Sequence, residues 1–171
     1  MDEMAEKPIG YDATGYEVMT KAVQELLNQY PALDGKQILF EELNENSGNI
    51  SFSSDNGSLV MSESRNILGR ISQRCQYPFY VVYHVASTDE RQKLRVQMFL
   101  DSLGKWICGE PVYINGNECR LASYPTLAHG RSITRVTRSN SYGLEPSENG
   151  EQDWLMPVTV EYKNQYYDNS K

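Results

Sequence analysis

Cysteine, histidine and unbroken apolar sequence are all scarce in this chain, and each scarcity removes a class of function. Three cysteines, Cys75, Cys108 and Cys119, form an odd set with no CxxC spacing. They read as reduced thiols packed as small hydrophobes, the pattern of a reducing cytosol, and a disulfide framework is not expected. The two histidines, His84 and His129, have no Cys, Asp or Glu at metal-ligand spacing, so no zinc site is expected. His84 lies among apolar strand residues and reads as a hydrogen-bonded core histidine. His129, just before Gly130, reads as a solvated turn residue. Apolar runs are only a few residues long, far short of the ~20 that a membrane helix needs. The opening MDEMAEKPIG is acidic and lacks the apolar stretch of a secretory signal. Glycine elbows, phosphate-cradling GxGxxG loops and Walker patterns are missing as well. The chain is therefore read as a non-enzyme that needs no cofactor. A small cytosolic enzyme or ligand-binding domain built on Cys75, His84 or Cys108 stays as the reading of a different class, because such partners meet only in space.

Positive charge is also in short supply. Sixteen Lys and Arg face 23 Asp and Glu, a net charge of −7, which argues against general nucleic-acid binding, where basic surface must displace phosphate counterions. At 171 residues the chain has the size of one domain able to bury most of its apolar surface. We expect a flexible arm over 1–15, one α+β domain over 16–165 and a frayed tail over 166–171.

What the chain does have is concentrated between residues 76 and 111, QYPFYVVYHVASTDERQKLRVQMFLDSLGKWICGEP. Tyr77, Phe79, Val81, Tyr83 and Val85 make one strand parity wholly apolar or aromatic. The other parity, Pro78, Tyr80, Val82, His84 and Ala86, has one strongly polar member. A strand apolar on both faces belongs in a sheet covered on both sides, by helix, by another sheet or by another subunit. Ser87 and Glu90 then fit a capping box, with Asp89 and Glu90 in the first turn. Leu94 lies off the main stripe. Val96, Phe99, Leu100, Leu103 and Ile107 step along one helical face until Gly109 and Pro111 end the helix. This face is expected to pack on the strand.

An earlier helix is read from Met19, Ala22, Val23, Leu26, Leu27 and Tyr30, closed by Pro31. Short strands are expected at 37–43, at 49–54 (solvent-facing), from 58 and from 67 into the Tyr77 strand. Further strands are expected at 112–114, after the Asn115-Gly116 turn through 127, and at 131–139. Asp153 should open a last strand that points Met156, Val158, Val160 and Tyr162 inward. Turns too short for crossovers make the sheet mostly antiparallel, with two main amphipathic helices, an α+β fold.

Two features suggest contact with other chains. Arg131, Arg135 and Arg138 form, with Arg120, a basic cluster in an acidic chain, suited to carboxylates of a neighbouring copy, with a solvated strand face as the alternative reading. Strand parity puts Arg131 and Arg135 on one face and Arg138 on the other unless a bulge intervenes. The polar loop 140–152, holding Tyr142, Leu144 and Glu145 and flanked by Trp154, is long for a strand connection and has the character of a binding element. Twelve tyrosines are amphipathic aromatics of the kind that interfaces favour.

The strand-and-helix unit YPFYVVYHVASTDERQKLRVQMFLDSLGKWI and the late block GRSITRVTRSNSYGLEPSENGEQDWLMPVTVEYKNQYY together resemble the tail terminator, or tail-completion, minor capsid proteins of long-tailed phages and phage-tail-like particles, over roughly residues 17–165. The resemblance implies a small subunit that closes into a hexameric ring on the tail tube. It would stop tube growth and present a joining surface to the head or neck. The partners implied are further copies of the chain, the tail tube protein, a tail sheath where present, and head-side connector or neck proteins. DNA would pass through the ring without specific binding, and no membrane is involved. The location implied is the virion tail, assembled in the host bacterial cytoplasm, with a head–tail connector or other minor virion protein as the neighbouring alternative. No catalytic residues carry over.

Overall fold

The computed structural model describes residues 6–43, 49–86 and 89–168. In chain order the elements are β1 (Gly10–Tyr11), α1 (Ala13–Asn28), β2 (Leu39–Phe40), β3 (Ile50–Ser54), β4 (Leu59–Arg65) and β5 (Arg70–Val85). They continue as α2 (Glu90–Ile107), β6 (Val112–Ile114), β7 (Asn117–Cys119), β8 (Arg131–Arg138), β9 (Tyr142–Gly143) and β10 (Gln152–Tyr167). The fold is α+β with two helices and a mostly antiparallel sheet, as the sequence pattern predicts. Among the described residues only β2 and β3 pair in parallel.

Two 16-residue strands, β5 and β10, form the axis and pair along their whole length, from Gln152 opposite Val85 to Tyr167 opposite Arg70. Each divides its outer edge between two shorter strands. β5 takes β4 along its first half and β3 along its second; β10 takes β9 near its start and β8 further on. Parity then decides the layers, since directly opposed residues share a face. Tyr77, Phe79, Val81 and Val85 sit with Val160, Val158 and Met156 on one face, all buried.

Both helices lie on that face. In α1, Met19, Ala22, Val23, Leu26 and Leu27 are buried as their spacing requires, and Thr20 hydrogen-bonds Tyr77 through the two hydroxyls at 2.8 Å. In α2, Val96, Leu100, Leu103 and Ile107 are buried, each contributing about 1.5–3 kcal/mol of transfer free energy. Phe99 is only partly buried, in edge contact with Tyr30 at 5.7 Å and Tyr83 at 5.5 Å. Trp106 fills the buried position beside Tyr30. Close approach of α2 to the sheet depends on Gly104, where a Cβ would meet the Arg138 Cδ at 2.3 Å and the Met156 Sδ at 2.8 Å.

Several local expectations need correction. The arm expected over 1–15 does not extend to its later residues: Ile9 donates to the Val60 carbonyl, β1 pairs with β4, and α1 starts at Ala13 behind an Asp12 cap. The frayed tail expected from 166 instead continues β10 to Tyr167, held by pairing with Arg70. The cap of α2 is Asp89, whose side chain accepts from the Arg91 N–H at 3.0 Å; Ser87 lies outside the described residues. β3 does not face solvent, because Ile50 and Phe52 are fully buried. Only Leu39 and Phe40 of the 37–43 stretch are strand, since the Asn28 side chain takes both backbone groups of Ile38. Ile67 and Leu68 are exposed at the β4–β5 turn rather than in a strand. The strand expected to run on through 127 stops at Cys119.

Candidate assembly interface

β8 carries the arginines singled out by composition, and a bulge decides what each can do. Register shifts between Glu161 and Tyr162, so that Arg135 opposes Glu161 while Ile133 opposes Tyr162. Thr134 is the extra residue, and its hydroxyl donates to the Glu161 carbonyl at 3.1 Å. Two opposite parities therefore meet at Thr134. Arg131 and Arg138 share the helix-covered face, and Arg135 alone points to the other. This corrects the expectation that Arg131 and Arg135 lie together.

Arg131 is not available to a neighbour. Its side chain is 5% exposed and that of Asp12 is 6%. Its Nε donates to Asp12 Oδ2 at 2.9 Å, and a terminal nitrogen donates to Oδ1 at 2.6 Å, a two-pronged pairing. Tyr162 donates its hydroxyl to Oδ2 at 2.8 Å, and the Gly15 N–H caps Oδ1 at 3.0 Å. A side chain at Gly15 could not coexist with this, since a Cβ there would lie 2.0 Å from Asp12 Oδ2. Burial alone would raise the Asp12 pKa. The bonds from Arg131, Tyr162 and the Gly15 amide, with the Arg131 charge, outweigh it and hold the carboxyl below its ordinary range. Burial, with the Asp12 charge adding to it, pushes the Tyr162 phenol far up, so it stays protonated as a donor. The cluster ties the start of α1 to β8 and β10. Sequence reading missed Asp12; its position just before the helix was the available signal.

Arg138 is also engaged, donating to Asp101 of α2 at 3.0 Å with its side chain 17% exposed. Arg135 faces Glu161 at 3.5 Å with its side chain 69% exposed, and Arg120 lies beside Glu118. Of the three strand arginines, Arg135 is the one open to solvent.

The face that Arg135 shares is the uncovered side of the sheet. There Pro78, Tyr80 and Val82 of β5 oppose Thr159, Pro157 and Leu155 of β10, all half-buried by one another. His84 and Asp153 end the row, with His84 Nδ1 and Asp153 Oδ1 2.7 Å apart. His84 is thus on the outer face and not in the core, as parity with Val82 requires.

The 140–152 loop folds back as a hairpin. β9 pairs with β10, placing Gly143 opposite Trp154 and Tyr142 opposite Leu155. Leu144 N donates to the Asp153 carbonyl, and Gln152 Nε2 to the Leu144 carbonyl. Tyr142 and Leu144 are exposed, as is Glu145 at the start of the turn. Trp154 instead lies buried on the helix-covered side opposite Gly143, where it anchors the hairpin and is not part of the exposed surface of Tyr142 and Leu144.

Two residues of the enzyme alternative, Cys75 and His84, lie apart. Cys75 faces the core and His84 the outer side, nine positions along the same strand and so about 30 Å away. Burial, aided by the Asp12 charge, raises the Cys75 thiol to about 11, leaving it unreactive at neutral pH. Cys108 caps α2, with burial as the main cause of its raised pKa. One depression, about 330 Å³, is lined by Glu17, Lys21 and Glu25 of α1 and by Thr126, Leu127 and His129. It contains no nucleophile–base pair among the described residues.

No protein-family model and no curated protein matches the chain. Among solved structures it is similar to a chain of the virion of a native gene transfer agent particle. The TM-score is 0.52 at 10% identity, over 91% of this chain and 100% of that chain. The likeness is one of fold.

Proposed function

We propose that the chain is a structural protein of a phage-like virion, and within it a tail terminator: a ring-forming subunit that caps the tail tube, ends its growth and offers the joining surface toward the head or neck. One observation carries the reading, the match of fold over the whole length of a chain from a virion particle. The geometry supports it. One sheet face is clothed by helices, while the other holds a row of half-buried Tyr, Val, Leu and Pro side chains with no layer over it among the described residues, the arrangement of a subunit completed by its neighbours. The net charge of −7 suits a lumen that lets DNA through without holding it.

Deleting the gene and imaging the particles tests the role. Tubes of uncontrolled length without joined heads are the expected result. Tails of normal length that fail only to join heads would assign the chain to the connector instead. Normal particles lacking the protein would overturn both.

A further inference from the structure

Two exposed patches lie on opposite layers of the molecule and are unlike in charge. On the outer side of α2, Arg91, Leu94, Arg95 and Met98 step at i, i+3, i+4 and i+7, a second stripe turned away from the core. Leu94 is 57% and Met98 62% exposed. Arg91 and Arg95 are exposed and have no ion-pair partner among the described residues. On the uncovered side of the sheet, the β9–β10 hairpin exposes Tyr142 and Leu144, each by 44%. Beside them Glu145, Glu148 and Glu151 are exposed, again without an ion-pair partner among the described residues.

We infer that the α2 stripe of one copy docks on the β9–β10 hairpin and open sheet face of the next copy. This rests on reading the chain as a self-assembling subunit and names the surfaces that meet. A second copy fits better than an unrelated partner because the chain itself carries both complements. Two cations with two apolar side chains face three carboxylates with two apolar side chains. A helix laid on the open face also covers the second apolar side of β5, converting an α/β pair of layers into α/β/α. Because the patches differ and occupy opposite layers, the contact is head-to-tail. Repeated, it closes into a ring when the rotation per copy divides a full turn.

Charge reversal with rescue tests this on the full chain. In sedimentation, wild-type protein should self-associate. The double variant Arg91→Glu/Arg95→Glu and the double variant Glu148→Lys/Glu151→Lys should each weaken association by about tenfold or more. Mixed one to one, the two variants present opposite charges at both contacts and should associate again. All four positions are exposed, so unchanged melting temperatures are expected and confirm that folding is intact. Met98→Gln/Leu144→Ser should weaken association without changing its salt dependence. Wild-type protein that stays monomeric at the highest attainable concentration overturns the inference. So does a reversed variant that assembles like wild type, the outcome expected if open faces instead pack symmetrically or receive a tube protein. Particles that contain the chain at the tail end yet tolerate both reversals would leave the proposed role standing and remove only this interface.

Discussion

The two faces of the sheet differ in what completes them. On the helix-covered face every opposed pair along β5 and β10, from Tyr77 with Val160 to Val81 with Met156, is removed from water by α1 and α2. On the open face the pairs Pro78–Thr159, Tyr80–Pro157 and Val82–Leu155 are shielded only in part, by one another and by sheet neighbours such as Tyr142 opposite Leu155. The same contrast divides the arginines of β8. Arg131 is locked with Asp12 in the interior, and Arg135 rests beside Glu161 in solvent. One face therefore carries the stability of the chain, and the other is left open. Substitutions on the two faces should separate these roles.

The largest effect is expected for Asp12→Asn. Asparagine can still cap α1, so the change isolates the charge. It leaves the Arg131 guanidinium buried and unpaired, which should cost about 3–5 kcal/mol in denaturant unfolding. A loss under about 1 kcal/mol would mean that water reaches the guanidinium and that the face is less sealed than its geometry indicates.

Leu100→Ala on the core side of α2 should cost about 2–5 kcal/mol. Leu155→Ala, on the open face of β10, should cost only about 1 kcal/mol in the isolated subunit. The contrast between these two measurements is the sharper test. Equal losses would show that both faces are covered within one chain.

Acid should act through the covered face. The Asp12 carboxyl has its pKa lowered on folding, so its contribution is fully present above the unfolded value. It is lost as pH falls through the lower folded value, below about pH 4. A pH series of unfolding midpoints should show this acid slope in wild-type protein and a shallower one in Asp12→Asn.

Arg135→Gln should be the mildest change. An ion pair this exposed contributes about 0–1 kcal/mol, so the melting temperature should barely move. A large loss would place Arg135 in a network within the chain.

How much of this was legible in the sequence depends on the range of the interactions. The α2 stripe and its stop at Gly109, the β6–β7 turn at Asn115-Gly116, and the inward series Met156, Val158, Val160 and Tyr162 follow from periodicities and turn preferences set within a few residues. The apolar character of both faces of β5 was equally plain. The site was less so. Tyr142, Leu144, Glu145 and Arg135 lie exposed, whereas Arg131 and Trp154 are buried and Arg138 pairs with Asp101, surroundings that come from elements distant in sequence.

By itself, then, the sequence determined the two helices, the long strands β5 and β10 and the apolar second parity of β5, because those properties depend on neighbours three or four positions away. Tertiary structure alone decided the rest. The bulge at Thr134 reverses the parity of β8, and that reversal depends on the register with β10, more than twenty residues downstream. Asp12 reaches Arg131 across 119 positions of sequence, a pairing that no local pattern encodes. Both helices cross to one side of the sheet because only that side offers the fully apolar parity to bury. That choice leaves the other face, with Arg135 and the β9–β10 hairpin, turned outward.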